Sequence, residues 1–162
     1  MAVASLWREV SVLEARLRVA GVRVVDGPEV GTLAPAVARA RDAVYLFLSD
    51  DCAACHEVAA NLRDEGGGTE FATYAVRVRE QDAGEEGVAA DVFAGLPPAV
   101  ERVPEELGDR IAAAFKIRAT PLAIAVRGGL VVAKGYLRGA QDLSEIGGAL
   151  PSALAAGSEV GR

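Results

Sequence analysis

Apolar residues recur along this chain in two rhythms, one helical and one extended. Val3, Leu6, Val10, Leu13, Leu17 and Ala20 keep the three-and-four spacing of one helical face, and Gly21 ends the run. The stripe is narrow, which suits either a second helix, as in a homodimer, or docking on the chain's own domain. Gly27-Pro28-Glu29-Val30-Gly31 then interrupts the pattern, and Leu33 to Arg41 predicts a short helix. Ala43 to Ser49 is a continuous apolar run ending in small and acidic residues, the pattern of a buried central strand. Strong helix formers from Ala54 to Arg63 are stopped by Gly66-Gly67-Gly68. Ala72, Tyr74, Val76 and Val78 alternate with Ala75, Arg77 and Arg79, which predicts a second strand.

Residues 80 to 98 are acidic and rich in Gly and Pro, and read mostly as loop. Pro104-Glu105-Glu106 makes a good first helical turn, with Leu107, Ile111, Ala114 and Phe115 on the expected inward face. After Thr120-Pro121 comes "LAIAVRGGLVVAKG", two apolar runs joined by Gly128-Gly129, a strong hairpin signal. Leu143, Ile146 and Leu150 predict a terminal helix, weakened by Gly147 and Gly148. The order is therefore β–α–β–loop–α–Pro–β–β–α, an α/β domain over 28–150. A helix and linker over 1–27 precede it, and a tail over 151–162 follows. Strand–helix–strand connections imply a parallel core, to which the hairpin adds an antiparallel edge.

A chain of 162 residues with 51% apolar and 25% charged residues suits one globular domain with a real core. The net charge of -6 argues against a nucleic-acid surface. There is no long uncharged apolar run of membrane-spanning length, and Met1-Ala2-Val3-Ala4-Ser5 lacks the basic start of a signal peptide. As written, the chain reads as cytoplasmic.

The candidate chemistry lies in "YLFLSDDCAACHEVAANL", at the junction of the first strand and its helix. Cys52-Ala53-Ala54-Cys55-His56 admits a thiol–disulfide pair, a c-type haem attachment or a metal nest. A structural disulfide stabilises by closing a long loop, and this pair closes almost none, so it is expected to be reactive. Haem wants a second axial ligand, yet His56 is the single histidine and Met1 the single methionine. Structural zinc wants four nitrogen or sulfur donors where this stretch has three. Thiol exchange needs only what is present. Cys52 at a helix N-terminus gains a stabilised thiolate, and Cys55, one turn on, resolves a mixed disulfide. His56, at i+4, lies either beside the sulfur, where its cationic form favours the thiolate, or in solvent; Asp50 and Asp51 oppose it.

"VYLFLSDDCAAC" followed by "FKIRATPLAIAVRGGLVVAKGYLRG" resembles the thioredoxin family, and within it the TlpA/ResA-like and MauD-type (methylamine-utilisation) oxidoreductases. "LFLSDDCAACHEV" and "GPEVGTLAP" look most like the MauD-type branch. The resemblance implies a thioredoxin fold, a mixed sheet flanked by helices, with an insertion before the cis-proline strand and an extra N-terminal helix. It implies a cis Thr120-Pro121 facing the cysteines, with Thr120 backbone groups pairing an extended substrate. The chain departs from its relatives in lacking a Trp before Cys52. It also has Leu46 and Val58 where many keep a buried acid, and neither Pro nor His between the cysteines. The expected function is disulfide exchange with protein thiol or disulfide substrates and an electron-donor or acceptor partner. The redox-active Cys52-Cys55 disulfide would serve with no other cofactor and no metal, modulated by His56 and Asp51. The alternatives are a redox-inert binding or assembly module and a copper carrier. Relatives are mostly tethered outside the cytoplasm, so an upstream anchor is the alternative location.

Overall fold

The computed structural model describes residues 26–65, 71–79 and 90–149. The amphipathic stripe from Val3 to Ala20, residues 80–89, Leu150 and the tail lie outside them. β1 (Ala43–Leu48) is buried along its whole length because both of its faces are covered. α1 (Ala53–Asp64) buries Cys55, Val58, Ala59 and Leu62, and β2 (Thr73–Arg77) runs beside β1. A 3-10 turn (Val92–Gly95) and β3 (Val100–Arg102) precede α2 (Glu105–Phe115). β4 (Leu122–Arg127) and β5 (Leu130–Tyr136) form the hairpin, and α3 (Ala140–Gly147) closes the domain. Gly128 and Gly129 both have positive φ, 55° and 77°, which the tight turn between right-twisted strands demands and side chains resist.

The sheet has five strands in the order β3-β2-β1-β4-β5. β1, β2 and β3 run parallel, while β4 pairs antiparallel with both β1 and β5. Val44, Leu46 and Leu48 pack with Val58, Leu62, Leu143 and Ile146 on one face. Tyr45 and Phe47 pack with Ile111, Phe115 and Ile124 on the other. Period-two alternation within one strand thus feeds two cores, and helices cover both. This is a thioredoxin fold, an α/β mixed sheet with flanking helices.

Two expectations need correction. The helix over Leu33 to Arg41 is a single 3-10 turn, Ala36–Ala38, held back by Pro35 and by pairing of Gly31 and Ala34 with the hairpin end. The inward face of α2 is Gly108, Ile111 and Phe115, whereas Leu107 is 39% exposed and Ala114 faces solvent. The described part of 80–98 is loop around the 3-10 turn, and the strand that follows it, β3, was not predicted by the pattern. The hairpin does supply the expected antiparallel edge, with β4 against β1 and β5 outermost.

α3 begins with a local ionic cap. Asp142 accepts the Arg138 backbone N–H at 2.7 Å and its guanidinium at 3.2 Å. Burial pushes the Asp142 carboxyl up, but its bonds to Arg138 and to the Gly139 backbone outweigh burial and hold it below the usual carboxylate range. A carboxylate depressed on folding stabilises above its unfolded value, near pH 4, and loses that contribution as pH falls through the folded value. Asp142→Asn is therefore expected to lower stability by about 1 kcal/mol at pH 7, the usual worth of a cap. The difference from wild type should vanish in denaturant melts at the lowest pH.

Candidate active site

Strand direction assembles the site. β1 and β4 are antiparallel, with Phe47 opposite Leu122, so the C-terminal end of β1 meets the segment just before β4. That places Ser49-Asp50-Asp51-Cys52 next to Thr120-Pro121, whose peptide bond is cis. β2 runs parallel to β1 with Arg77 opposite Leu48, so its C-terminal end arrives at the same edge. The N-terminus of α2, following parallel β3, brings Glu105 there as well.

Cys52 is the N-cap of α1 and is disulfide-bonded to Cys55. Its sulfur accepts the Cys55 backbone N–H at 3.1 Å, and its carbonyl accepts N–H groups of Cys55 and His56. Free N–H groups at the start of a helix are where a negative charge is favoured. Cys52 is half-buried, while Cys55 is fully buried among Val58, Leu46 and their neighbours. Cys52 Sγ lies 3.6 Å from the Thr120 carbonyl oxygen. In the disulfide that sulfur has no proton to donate, so the contact is one of packing; a reduced thiol at the same place would have a ready acceptor. Pro121 is buried and Thr120 half-buried beside it.

Of the expected modulators, Asp51 is exposed. His56 points at neither sulfur. Its Nε2 lies 2.7 Å from the Asp50 backbone carbonyl, which accepts only, so Nε2 carries the proton. The ring ties the first turn of α1 back to the loop leading into Cys52. His56→Ala is expected to lower stability by about 1 kcal/mol, the usual net worth of one hydrogen bond. Denaturant unfolding at pH 8 checks this, and Cys52 of the reduced variant should still alkylate.

Two residues that the sequence reading passed over as neighbours stand out here. Asp50 accepts the Val92 backbone N–H at 2.9 Å through one carboxylate oxygen, and the other lies 3.3 Å from Arg77 Nε. Arg77 also reaches Asp91 at 2.5 Å and Glu105 at 3.6 Å, and its guanidinium lies over the Phe93 ring, 4.7 Å from the centroid. The available signal was an arginine ending a mostly apolar strand that must finish at the same edge as the cysteines. A cleft of about 290 Å3 opens here, lined by Ser49, Asp50, Asp51, Arg77, Arg79 and Glu105 among others. Among the described residues, no three His, Cys, Asp or Glu side chains gather as a metal ion requires. Nor is any helix of the described residues long and apolar enough to cross a membrane.

No protein-family model and no curated protein matches the chain. Among solved structures it is similar to dsbF of MTB, in its mixed oxidized and reduced forms. There the identity is 17% and the TM-score 0.49, over 67% of this chain and 80% of that one. It is similar also to the thioredoxin domain of a thiol-disulfide oxidoreductase from Bacteroides vulgatus, at 17% identity and a TM-score of 0.47, over 73% and 94% of the two chains. A thio-disulfide isomerase from Thermus thermophilus gives 23% identity and a TM-score of 0.47, over 65% and 76%.

Proposed function

We propose that this protein is a thiol–disulfide oxidoreductase acting on protein substrates, in the manner of the TlpA/ResA-like and MauD-type proteins its sequence resembles. The observation that carries the reading is the Cys52–Cys55 disulfide at the N-terminus of α1, with its half-buried sulfur against the Thr120 carbonyl. A buried pair of structural cysteines would need neither the helix terminus nor the half-open position of Cys52.

In the reducing direction, the Cys52 thiolate attacks one sulfur of a substrate disulfide. A Cys52–substrate bond forms, the substrate S–S bond breaks, and the displaced substrate thiolate takes a proton from solvent. Cys55, deprotonated in turn, attacks Cys52 Sγ and releases the second substrate sulfur, which is also protonated. Two electrons and two protons pass to the substrate, leaving the Cys52–Cys55 disulfide. A dithiol partner restores the reduced pair by the same steps in reverse, and oxidation of a substrate dithiol is the reverse of the whole sequence. The Cys55 N–H aimed at Cys52 Sγ and the helix terminus favour the thiolate. Thr120, next to the buried Pro121, offers backbone groups to an extended substrate segment by strand addition.

The test is insulin reduction in the presence of dithiothreitol. Precipitation of the reduced chains well ahead of the reagent-only control is expected. A time course identical to that control would reject the exchange reading and favour a redox-inert binding module.

A further inference from the structure

We propose that Arg77 is a positioning residue for this exchange, neutralising Asp50 and fixing the Ser49–Cys52 segment so that Cys52 is presented as a reactive thiolate. The inference deepens the reading of Cys52 as nucleophile and rests on it.

Arg77 sits at the end of a strand whose other side chains are mostly apolar, placed there by its register opposite Leu48. Only 24% of its side chain is exposed. Its Nε is buried without an aligned hydrogen-bond acceptor, although Asp50 Oδ2 lies 3.3 Å away. Attraction between the two is therefore one of charge rather than of a directed bond, and at this burial it is screened less than at an open surface. Asp50 is held at three points: by Arg77, by the Val92 N–H, and through its carbonyl by His56. The residue two positions before Cys52 is thus locked to β2, to the 3-10 turn and to α1 together.

The charges around Cys52 show why the cation matters. Its own loop carries Asp50 and Asp51, and α1 carries His56 and Glu57. Asp91 caps the 3-10 turn, and α2 contributes Glu105 and Asp109. Against the carboxylates among these stand Arg77, Arg79 and, in the segment before Thr120, Arg118. Arg79 is 57% exposed and already engages Glu105 and Asp109, so it is no substitute for Arg77 at Asp50. Removing Arg77 leaves Asp50 unbalanced two residues before a group that must become an anion, and a like charge in the vicinity disfavours the ionised form. The Cys52 pKa should rise. Because the thiolate belongs to the reduced state, that state is then less stabilised and the couple becomes more reducing.

The experiment measures the pH dependence of iodoacetamide alkylation of Cys52 in reduced protein, together with the reduction potential against glutathione. Arg77→Gln is expected to move the alkylation midpoint upward, giving roughly threefold to tenfold slower reaction below it, as a shift of half to one pKa unit requires. The potential should become more negative. Arg77→Lys, which keeps the charge and loses the fork, should restore most of the midpoint, and Asp50→Asn added to Arg77→Gln should return it to the wild-type value. Asp50→Asn alone, whose amide oxygen can still accept the Val92 N–H, should lower the midpoint; it decides the matter if Arg77→Gln does not fold. A midpoint unmoved in Arg77→Gln, or in Asp50→Asn where that is the variant left, overturns the proposal, whatever happens to thermal stability. Wild type inert toward insulin, with a midpoint that still moves, overturns the exchange reading but leaves the charge coupling standing. Wild type active, with an unmoved midpoint, overturns the coupling alone.

Discussion

Cys55→Ser should accumulate a covalent adduct with a disulfide-containing protein, whereas Cys52→Ser should form none, and both should lose insulin turnover to the reagent background. The asymmetry comes from burial. Cys52 is half-buried and packs against Thr120, while Cys55 is sealed under the helix and cannot reach a macromolecule directly. With Cys52 alone, attack proceeds to the mixed disulfide and stops, because the intramolecular resolving thiol is gone. With Cys55 alone, the remaining thiol faces the core among Leu46, Val58 and Leu62. A non-reducing gel of each reduced variant after incubation with an oxidised protein separates the two cases. Adduct formed by Cys52→Ser, or turnover retained by it, would mean that the roles of the cysteines are reversed or irrelevant.

Phe115→Ala should cost roughly 3 to 5 kcal/mol of unfolding free energy, the usual loss for a fully buried aromatic ring. Phe115 is the last residue of α2 and has no exposed surface. Its ring centroid lies 5.4 Å from that of Phe47 and 5.5 Å from that of Tyr45. One side chain therefore joins the only α-helix described on that face to the central strand, and its neighbours are held by the sheet and cannot collapse into the space. Denaturant unfolding should show a lower midpoint with an unchanged slope, and the folded fraction should keep its Cys52 reactivity. A loss below about 1 kcal/mol would mean that α2 packs through other contacts.

The parts of the fold legible in the sequence were those with a long, one-sided signal. Ala43 to Leu48 is apolar throughout, and Gly128-Gly129 between apolar runs leaves little choice but a hairpin. β3 escaped notice because it has three residues, two of them the exposed Glu101 and Arg102, and is defined only by pairing with β2. The face of α2 was misjudged because Leu107 looks like core, whereas it is Gly108 that lies against Val76. At the site, Cys52 and Cys55 announced themselves by spacing. His56 did not, since its direction depends on where a loop carbonyl happens to fall. Arg77 was legible only as one member of an alternation, because its partners Asp50, Asp91 and Glu105 come from three other segments.

The pairing of β1 with β4 also governs how the chain can fold. The central strand finds one neighbour early, in β2, but its other neighbour only after most of the domain has been synthesised. Closing that long loop carries an entropic cost before any contact rewards it, and contacts so distant in sequence slow folding. Until β4 docks, the cysteines sit on a half-built sheet whose exposed edge is Ala43 to Leu48, with no Thr120 segment beside them. A nascent chain at that stage is open to edge-to-edge association, and the hairpin that ends this hazard is among the last parts of the described domain to be made.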